Sequence, residues 1–204
     1  PMLQKALKLA VDDTFNMVSV DGDTSTNDMV SILANGMAQN PLIDQEGPDF
    51  DAFLTVIQEI CASMAKKIAG DGEGATKLVE CSVHHAPNTT LAKAIAKSII
   101  TSSLVKTAIF GADANWGRIL CAIGYTEGDF AIDAISVSIS SAKGEIVVCE
   151  NGAGVPFDEA LAKEILLQEE IHMDVDLKQG EGEATAWGCD LTYDYVKING
   201  DYRT

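Results

Sequence analysis

The 204-residue chain predicts an α+β fold, with helices layered against a sheet of largely antiparallel strands. Two observations carry that expectation. Stretches with apolar residues at helical spacing are interspersed with stretches of two-fold alternation, and the alternating stretches sit beside one another as hairpins. A doubly wound parallel sheet would instead show a regular strand-helix-strand series. Composition agrees: 47% of residues are hydrophobic and 22% charged, enough to bury a sizeable core, and no apolar run reaches membrane-spanning length. A single unit over 1–204 is expected, with a subdivision near 111–130.

Leu3, Leu7, Ala10, Val11 and Phe15 recur at helical spacing and make the start an amphipathic helix. Asp21 to Asp28 is dense in hydroxyls and acids, and Met29 to Met37 resumes an apolar helical pattern for which Ser25 or Thr26 is the natural N-cap. Asp21 and Asp23 alternate as calcium ligands do, but glycine and glutamate are missing at the sixth and twelfth positions of such a loop, where Thr26 and Ile32 stand, so turn and cap chemistry is the expectation. Asn40 to Pro48 reads as a surface connection. From Asp49 a second helix presents Phe50, Phe53, Leu54, Ile57, Ile60, Cys61, Met64 and Ile68 on one face and runs out at Ala69-Gly70.

Asp71-Gly72-Glu73-Gly74-Ala75-Thr76-Lys77 follows, and two-fold alternation then begins at Leu78. Alternating glycines strip side chains from the backbone and leave Glu73 standing. That suits a loop offering one acid to a small molecule, and it equally suits a helix C-cap followed by a turn. The strand ends at His84-His85, which alternation aims to opposite faces. With no third ligand at a suggestive spacing they read as structural histidines, and His172 reads as an isolated residue on an exposed face.

Pro87-Asn88 opens a helix to about Ser103, Val105 to Phe110 reads as a strand, and Gly111 to Arg118 reads as a strand-to-helix turn. That turn carries an aromatic and one of only two arginines, so a site role stands beside an Asp or Asn cap with Trp116 packed beneath it. Asp133 to Ser140 and Gly144 to Glu150 form a hairpin, and Phe157 to Leu167 a short helix. Glu169 to Lys178 is a strand with Ile171, Met173, Val175 and Leu177 inward, turned back by Gln179 to Gly182 into Glu183 to Asp190. From Thr192 the last stretch is strand-like.

Charge and cysteine usage narrow the function. Fourteen basic against 31 acidic residues give a net charge of −17, a field that repels nucleic acid and suits small cationic or zwitterionic ligands. Five widely spaced cysteines without paired spacing point to a reducing compartment rather than to zinc or disulfides. No secretory signal opens the chain. Pro1 stands before Met2 and the helical pattern has already begun, as expected of a processed piece. The three glycines around Glu73 follow a helix and precede a strand, the reverse of a dinucleotide fingerprint, and no P-loop, nucleophile elbow or triad spacing occurs. A free Pro1 amine acting as base lacks orienting partners.

Four stretches taken together add a resemblance: Asn16 to Asp28 (NMVSVDGDTSTND), Asp71 to Lys77 (DGEGATK), Gly111 to Ile119 (GADANWGRI) and Cys189 to Thr204 (CDLTYDYVKINGDYRT). In this order, across essentially the whole chain, they resemble the β chain of glutamate N-acetyltransferase, also called ornithine acetyltransferase. The resemblance implies a layered helix/sheet sandwich of that self-cleaving type, with mixed and antiparallel strands and a smaller C-terminal α/β portion. It implies a precursor cut before a threonine, whose hydroxyl takes acetyl from N2-acetylornithine and passes it to glutamate. No cofactor is implied, with acetyl-CoA entering in some members as a second donor.

By the same resemblance that threonine would stand before Pro1, so this polypeptide alone is expected not to catalyse. Glu73, Asn199 and Thr204 match the family's substrate-binding positions. A carboxylate suits the ammonium of an amino acid, and Asn199 offers both donor and acceptor. The implied partner is the α chain of the same precursor, in a cytoplasmic α/β hetero-oligomer. Two other readings stand beside this one: a non-catalytic subunit that binds an amino acid, and a hydrolase, amidase or aminopeptidase, of the same self-cleaving fold group.

Overall fold

The computed structural model describes residues 1–202. It is an α+β fold of seven helices and one six-stranded mixed sheet, in the order β4-β3-β2-β5-β1-β6. Helix α1 spans Met2–Asp13 and α2 Pro48–Gly70. Strand β1 (Leu78–Ala86) leads to α3 (Thr89–Thr101), α4 (Ser103–Phe110) and α5 (Trp116–Gly124). Strands β2 (Ser136–Ser141), β3 (Gly144–Glu150) and β4 (Ala153–Gly154) precede α6 (Glu159–Leu166), β5 (Glu170–Asp176), β6 (Gly182–Cys189) and α7 (Tyr193–Asp201).

The sheet is two-faced because its strands alternate. Val79, Cys81, Val83, Val137, Ile139, Ile171, Met173 and Val175 are all at most 3% exposed. They face α3, which lies along β1 and β6, and α6, which lies along β2 and β3. Ile95 and Ile99 of α3 are fully buried there, each worth about 1.5–3 kcal/mol of transfer free energy. The opposite face carries Glu80, Ser82, His84, Ser138, His172 and Asp174, half-buried. Its β1–β6 end is covered by α2, where Lys66 Nζ lies 2.6 Å from the Glu80 carboxylate.

Side-chain caps start five of the helices: Asn88, Ser102, Asn115, Asp158 and Thr192 each accept from a backbone amide of the first turn. Helix α2 instead begins with Pro48, whose fixed φ suits a first helical turn, with Asp49 and Asp51 favourably placed against the helix dipole.

The first and second helices, β1, α3, the β2–β3 hairpin, α6 and the inward set of β5 stand where alternation and periodicity put them. Four expectations are overturned. No helix forms over Met29 to Met37: Ser25 Oγ accepts from the amides of Asn27 and Asp28 as a cap would, but Met29, Leu33 and Met37 are 77–95% exposed, with no surface to bury the pattern. Val105 to Phe110 is helix α4, since the Ser102 cap turns an apolar run too short to show its own period.

The stretch from Thr192 is helix α7, because Thr192 caps it and overrides the β propensity of Tyr193, Tyr195, Val196 and Ile198. Strand β6 does not pair with β5; it inserts on the far side of β1, which is parallel to β5 and antiparallel to β6. The turn after β5 therefore crosses over β1. Two details also differ. Val56, Ile60, Met64 and Ile68 of α2 are 51–53% exposed, whereas Phe50, Cys61, Ala65 and Ala69 are buried. A register shift between Val83 and Ala86, with His85 at φ +52°, brings both histidines to one side, His84 to Asp174 (3.4 Å) and His85 to Asp176 (2.9 Å).

Candidate functional site

The Glu73 loop is a corner pressed between the end of α2 and the β6–α7 connection. Helix α2 closes with the Asp71 amide on the Lys67 and Ile68 carbonyls. The Ala75 amide then donates to the Gly72 carbonyl at 2.9 Å, so Glu73 and Gly74 are the central pair of a tight turn, with Gly74 at φ +68° as the second position of such a turn demands. Both flanking glycines are needed for space. A Cβ on Gly72 would lie 2.9 Å from Cys189 Sγ and from Val20, and one on Gly74 2.9 Å from the Tyr195 amide nitrogen. Glu73 itself is exposed, and among the described residues its carboxylate makes no hydrogen bond or ion pair.

The chain after the turn is tied to Asp190, which is 3% exposed. Its Oδ1 accepts from the amides of Thr76 (2.8 Å) and Lys77 (3.1 Å), and its Oδ2 from the Thr76 hydroxyl. Thr192 Oγ1 donates to the Gly74 carbonyl at 2.7 Å and accepts from the Tyr195 amide. The Tyr195 hydroxyl donates to Asp21 Oδ2 at 3.0 Å, bringing the acidic 21–28 stretch to the same corner. Burial raises the Tyr195 pKa, helped by the Asp21 hydrogen bond and the charges of Asp21, Glu73 and Asp23.

Two lysines are buried beside this corner. Lys77 Nζ donates to the Ile109 carbonyl at 2.6 Å, and Lys106 Nζ to the Cys189 carbonyl. Burial pushes the Lys77 pKa down, opposed by the charge of Asp190. The hydroxyls of Thr76, Thr192 and Tyr195 are each committed as donors, and burial pushes the Cys189 thiol up despite Lys106. Among the described residues of the corner no side chain is prepared as a nucleophile.

Asn199 lies on α7 one turn beyond Tyr195, exposed, with Nδ2 on the Tyr195 carbonyl at 3.1 Å. Since Gly74 packs on Asp194 and Tyr195, the Glu73 turn rests on the start of the same helix that carries Asn199 one turn further on. Thr204 lies outside the described residues. The Gly111 to Arg118 stretch is taken up structurally. Asn115 caps α5, Arg118 Nη1 donates to the Leu104 carbonyl (2.9 Å) and Thr107 Oγ1, and Trp116 packs over Gly154, whose missing Cβ would lie 2.2 Å from the indole.

Among the described residues no group of three or more His, Cys, Asp or Glu side chains could hold a metal. A cleft of about 780 Å³ opens between the C-terminal half of α2 and the starts of β1 and β5, but neither Glu73 nor Asn199 lines it. Sequence reasoning missed Asp190, Thr192, Tyr195, Lys77 and Lys106. Lys106 carried a signal, since a lysine inside the apolar run from Val105 to Phe110 has to bury its ammonium on a carbonyl.

A family profile for ArgJ matches residues 1–204, the whole chain. The chain belongs to the ArgJ family. The arginine biosynthesis bifunctional protein ArgJ of Caldanaerobacter subterraneus is 55% identical over 202 residues, covering 99% of this chain and 50% of that protein. Its namesake from Thermotoga neapolitana is 52% identical over 202 residues, covering 99% of this chain and 51% of that protein. The chain thus spans about half the length of the curated ArgJ relatives it matches. A crystal structure of the ArgJ protein from Bacillus halodurans superposes with a TM-score of 0.92 at 47% identity, covering 98% of this chain and 93% of that one. No helix in the described residues is long and apolar enough to cross a membrane.

Proposed function

We propose that this chain is the β part of an ArgJ enzyme that moves acetyl from N2-acetylornithine to glutamate. The observation that carries this reading is the Glu73 corner: an exposed carboxylate, unpaired among the described residues, on a braced turn beside α7, within a chain matched end to end by the ArgJ family. The Glu73 carboxylate receives the ammonium of the amino-acid substrate, and Asn199 offers its amide to the carboxylate or amine of the same ligand. Thr204 completes the set of substrate contacts.

The corner holds no activated nucleophile. In this reading the hydroxyl that carries acetyl comes from the part of the ArgJ protein beyond these residues, a threonine freed by self-cleavage, with the α chain of the same precursor as partner in an α/β hetero-oligomer. An acetyl-threonine intermediate splits the transfer into two half-reactions, so ping-pong kinetics follow. Acetyl-CoA acts as a second acetyl donor, consistent with the word bifunctional in the relatives' name, and the complex works in the cytoplasm.

The test is to express the full-length protein, verify self-cleavage, and follow acetyl transfer from N2-acetylornithine to glutamate. Parallel lines in double-reciprocal plots are expected. A folded, cleaved complex that releases acetate to water without acetylating glutamate would replace the transferase reading with a hydrolase one.

A further inference from the structure

Among the described residues the Glu73 carboxylate has no hydrogen-bond or ion-pair partner, and other residues hold the backbone on either side of it. Two of them do so from a single three-residue connection. Asp190 takes the amides of Thr76 and Lys77 and the Thr76 hydroxyl, and Thr192 holds the Gly74 carbonyl. The turn is thereby gripped immediately after Glu73 and again two residues later. The same Thr192 hydroxyl caps α7, the helix that carries Asn199. One connection thus fixes both the Glu73 turn and the helix facing it.

Asp190 is well suited to the task. A buried carboxylate is costly unless its oxygens are filled, and here three donors fill them, all from the segment that follows Glu73. The Asp190 amide also donates to the Lys77 carbonyl at 3.2 Å, so the two segments are joined in both directions. Asp194 and Tyr195 of α7 press so close that only glycine fits at position 74, and a shift of α7 would carry the turn with it.

We propose that Asp190 and Thr192 are positioning residues that set the spacing between Glu73 and Asn199 at which an amino-acid substrate is gripped. This rests on the function proposed above. Neither residue touches substrate; both act through the turn and through α7. Their loss is a loss of pre-organisation, which appears in substrate binding before it appears in turnover.

The experiment uses the full-length, self-cleaving protein with Asp190→Ala, Asp190→Asn, Thr192→Val and Thr192→Ser, and measures KM and kcat for N2-acetylornithine and glutamate. Asp190→Ala is expected to raise KM about 10-fold with kcat within about 3-fold of the parent. Asp190→Asn should recover most of that loss, because its amide oxygen accepts both backbone donors and its NH2 can donate to the Thr76 hydroxyl. In a Glu73→Ala background Asp190→Ala should add less than about 2-fold, since the side chain it positions is gone.

An equal effect in both backgrounds, an unchanged KM, or a fall in kcat alone overturns the proposal. If Asp190→Ala does not fold, Thr192→Val with Thr192→Ser as its rescue decides on the same criteria. Amide exchange at Ala75, which bonds to Gly72 and not to Asp190, separates this proposal from the function it rests on. A parent protein that transfers no acetyl sinks the function. Faster exchange at Ala75 in Asp190→Ala then still supports the brace, and unchanged exchange removes it.

Discussion

Glu80 of β1 and Trp187 of β6 stand directly opposite each other, and the indole Nε1 donates to the Glu80 carboxylate at 2.6 Å. Lys66 of α2 reaches the same oxygen, and His172 of β5 lies 3.4 Å from the other. One acid thus ties together the three elements that meet over this end of the sheet. Burial alone would raise its pKa. The hydrogen bonds of Lys66 and Trp187, with the charges of Lys66 and His172, outweigh burial and hold it below the ordinary glutamate value.

A carboxyl depressed in the folded state contributes stability that is present above its unfolded pKa of about 4.3 and is lost as pH falls through the folded value. Glu80→Gln should therefore lower the thermal midpoint at pH 7 and leave a shallower acid limb, by about 1–3 kcal/mol for the lost charge-assisted bonds. Thermal midpoints of parent and variant between pH 3 and 7 provide the check, and parallel acid limbs would count against the pairing.

Glu73→Ala in the self-cleaving full-length protein should lower kcat/KM for acetyl transfer by one to two orders of magnitude, as losing about 1.5–3 kcal/mol of charge-assisted contact implies. Self-cleavage and thermal midpoint should stay at parent values, because the side chain is exposed and makes no hydrogen bond or ion pair among the described residues. An unchanged rate at subsaturating substrate removes Glu73 from the site.

Gly74→Ala meets two penalties at once, a left-handed backbone and a methyl 2.8 Å from Asp194 Cβ. A destabilisation of about 1–3 kcal/mol is expected, together with weaker substrate binding as the turn is pushed off α7. Gly70→Ala is the control, since its added Cβ meets only Leu78 at 3.7 Å and should be nearly silent in both measurements.

Asn88→Ala removes the side chain that accepts from the Leu91 amide at 2.9 Å and starts α3. The loss should be about 1 kcal/mol, a fall of roughly 2–4 °C in thermal midpoint, with KM untouched. Asn88→Asp should restore most of it.

What the sequence disclosed depended on whether a local rule governed the residue. Strand β5 was legible because Ile171, Met173 and Val175 alternate against one buried layer. Helix α3 was legible because Asn88 and the spacing of Leu91, Ile95 and Ile99 agree. Helices α4 and α7 were not: their residues carry strand propensity, and the caps Ser102 and Thr192 that decide the matter are single hydroxyls among many.

The pattern over Met29 to Met37 failed for the opposite reason. A helical period needs a surface to bury it, and these residues are exposed. In the site, Glu73 was marked by its glycines, whereas Asp190 and Thr192 act across more than a hundred residues of sequence and leave no local trace.

The strand order has a further consequence, for synthesis. Central strand β1 pairs with Glu170–Asp176 on one side and with Gly182–Cys189 on the other, segments that follow it by about 90 residues or more. While the ribosome is making α3 through α6, β1 has neither neighbour, and its backbone groups stay unpaired. Nascent chains stalled before residue 170 should be protease-sensitive over β1 and chaperone-bound, and those that have released Cys189 should resist, so the sheet closes late and nearly all at once.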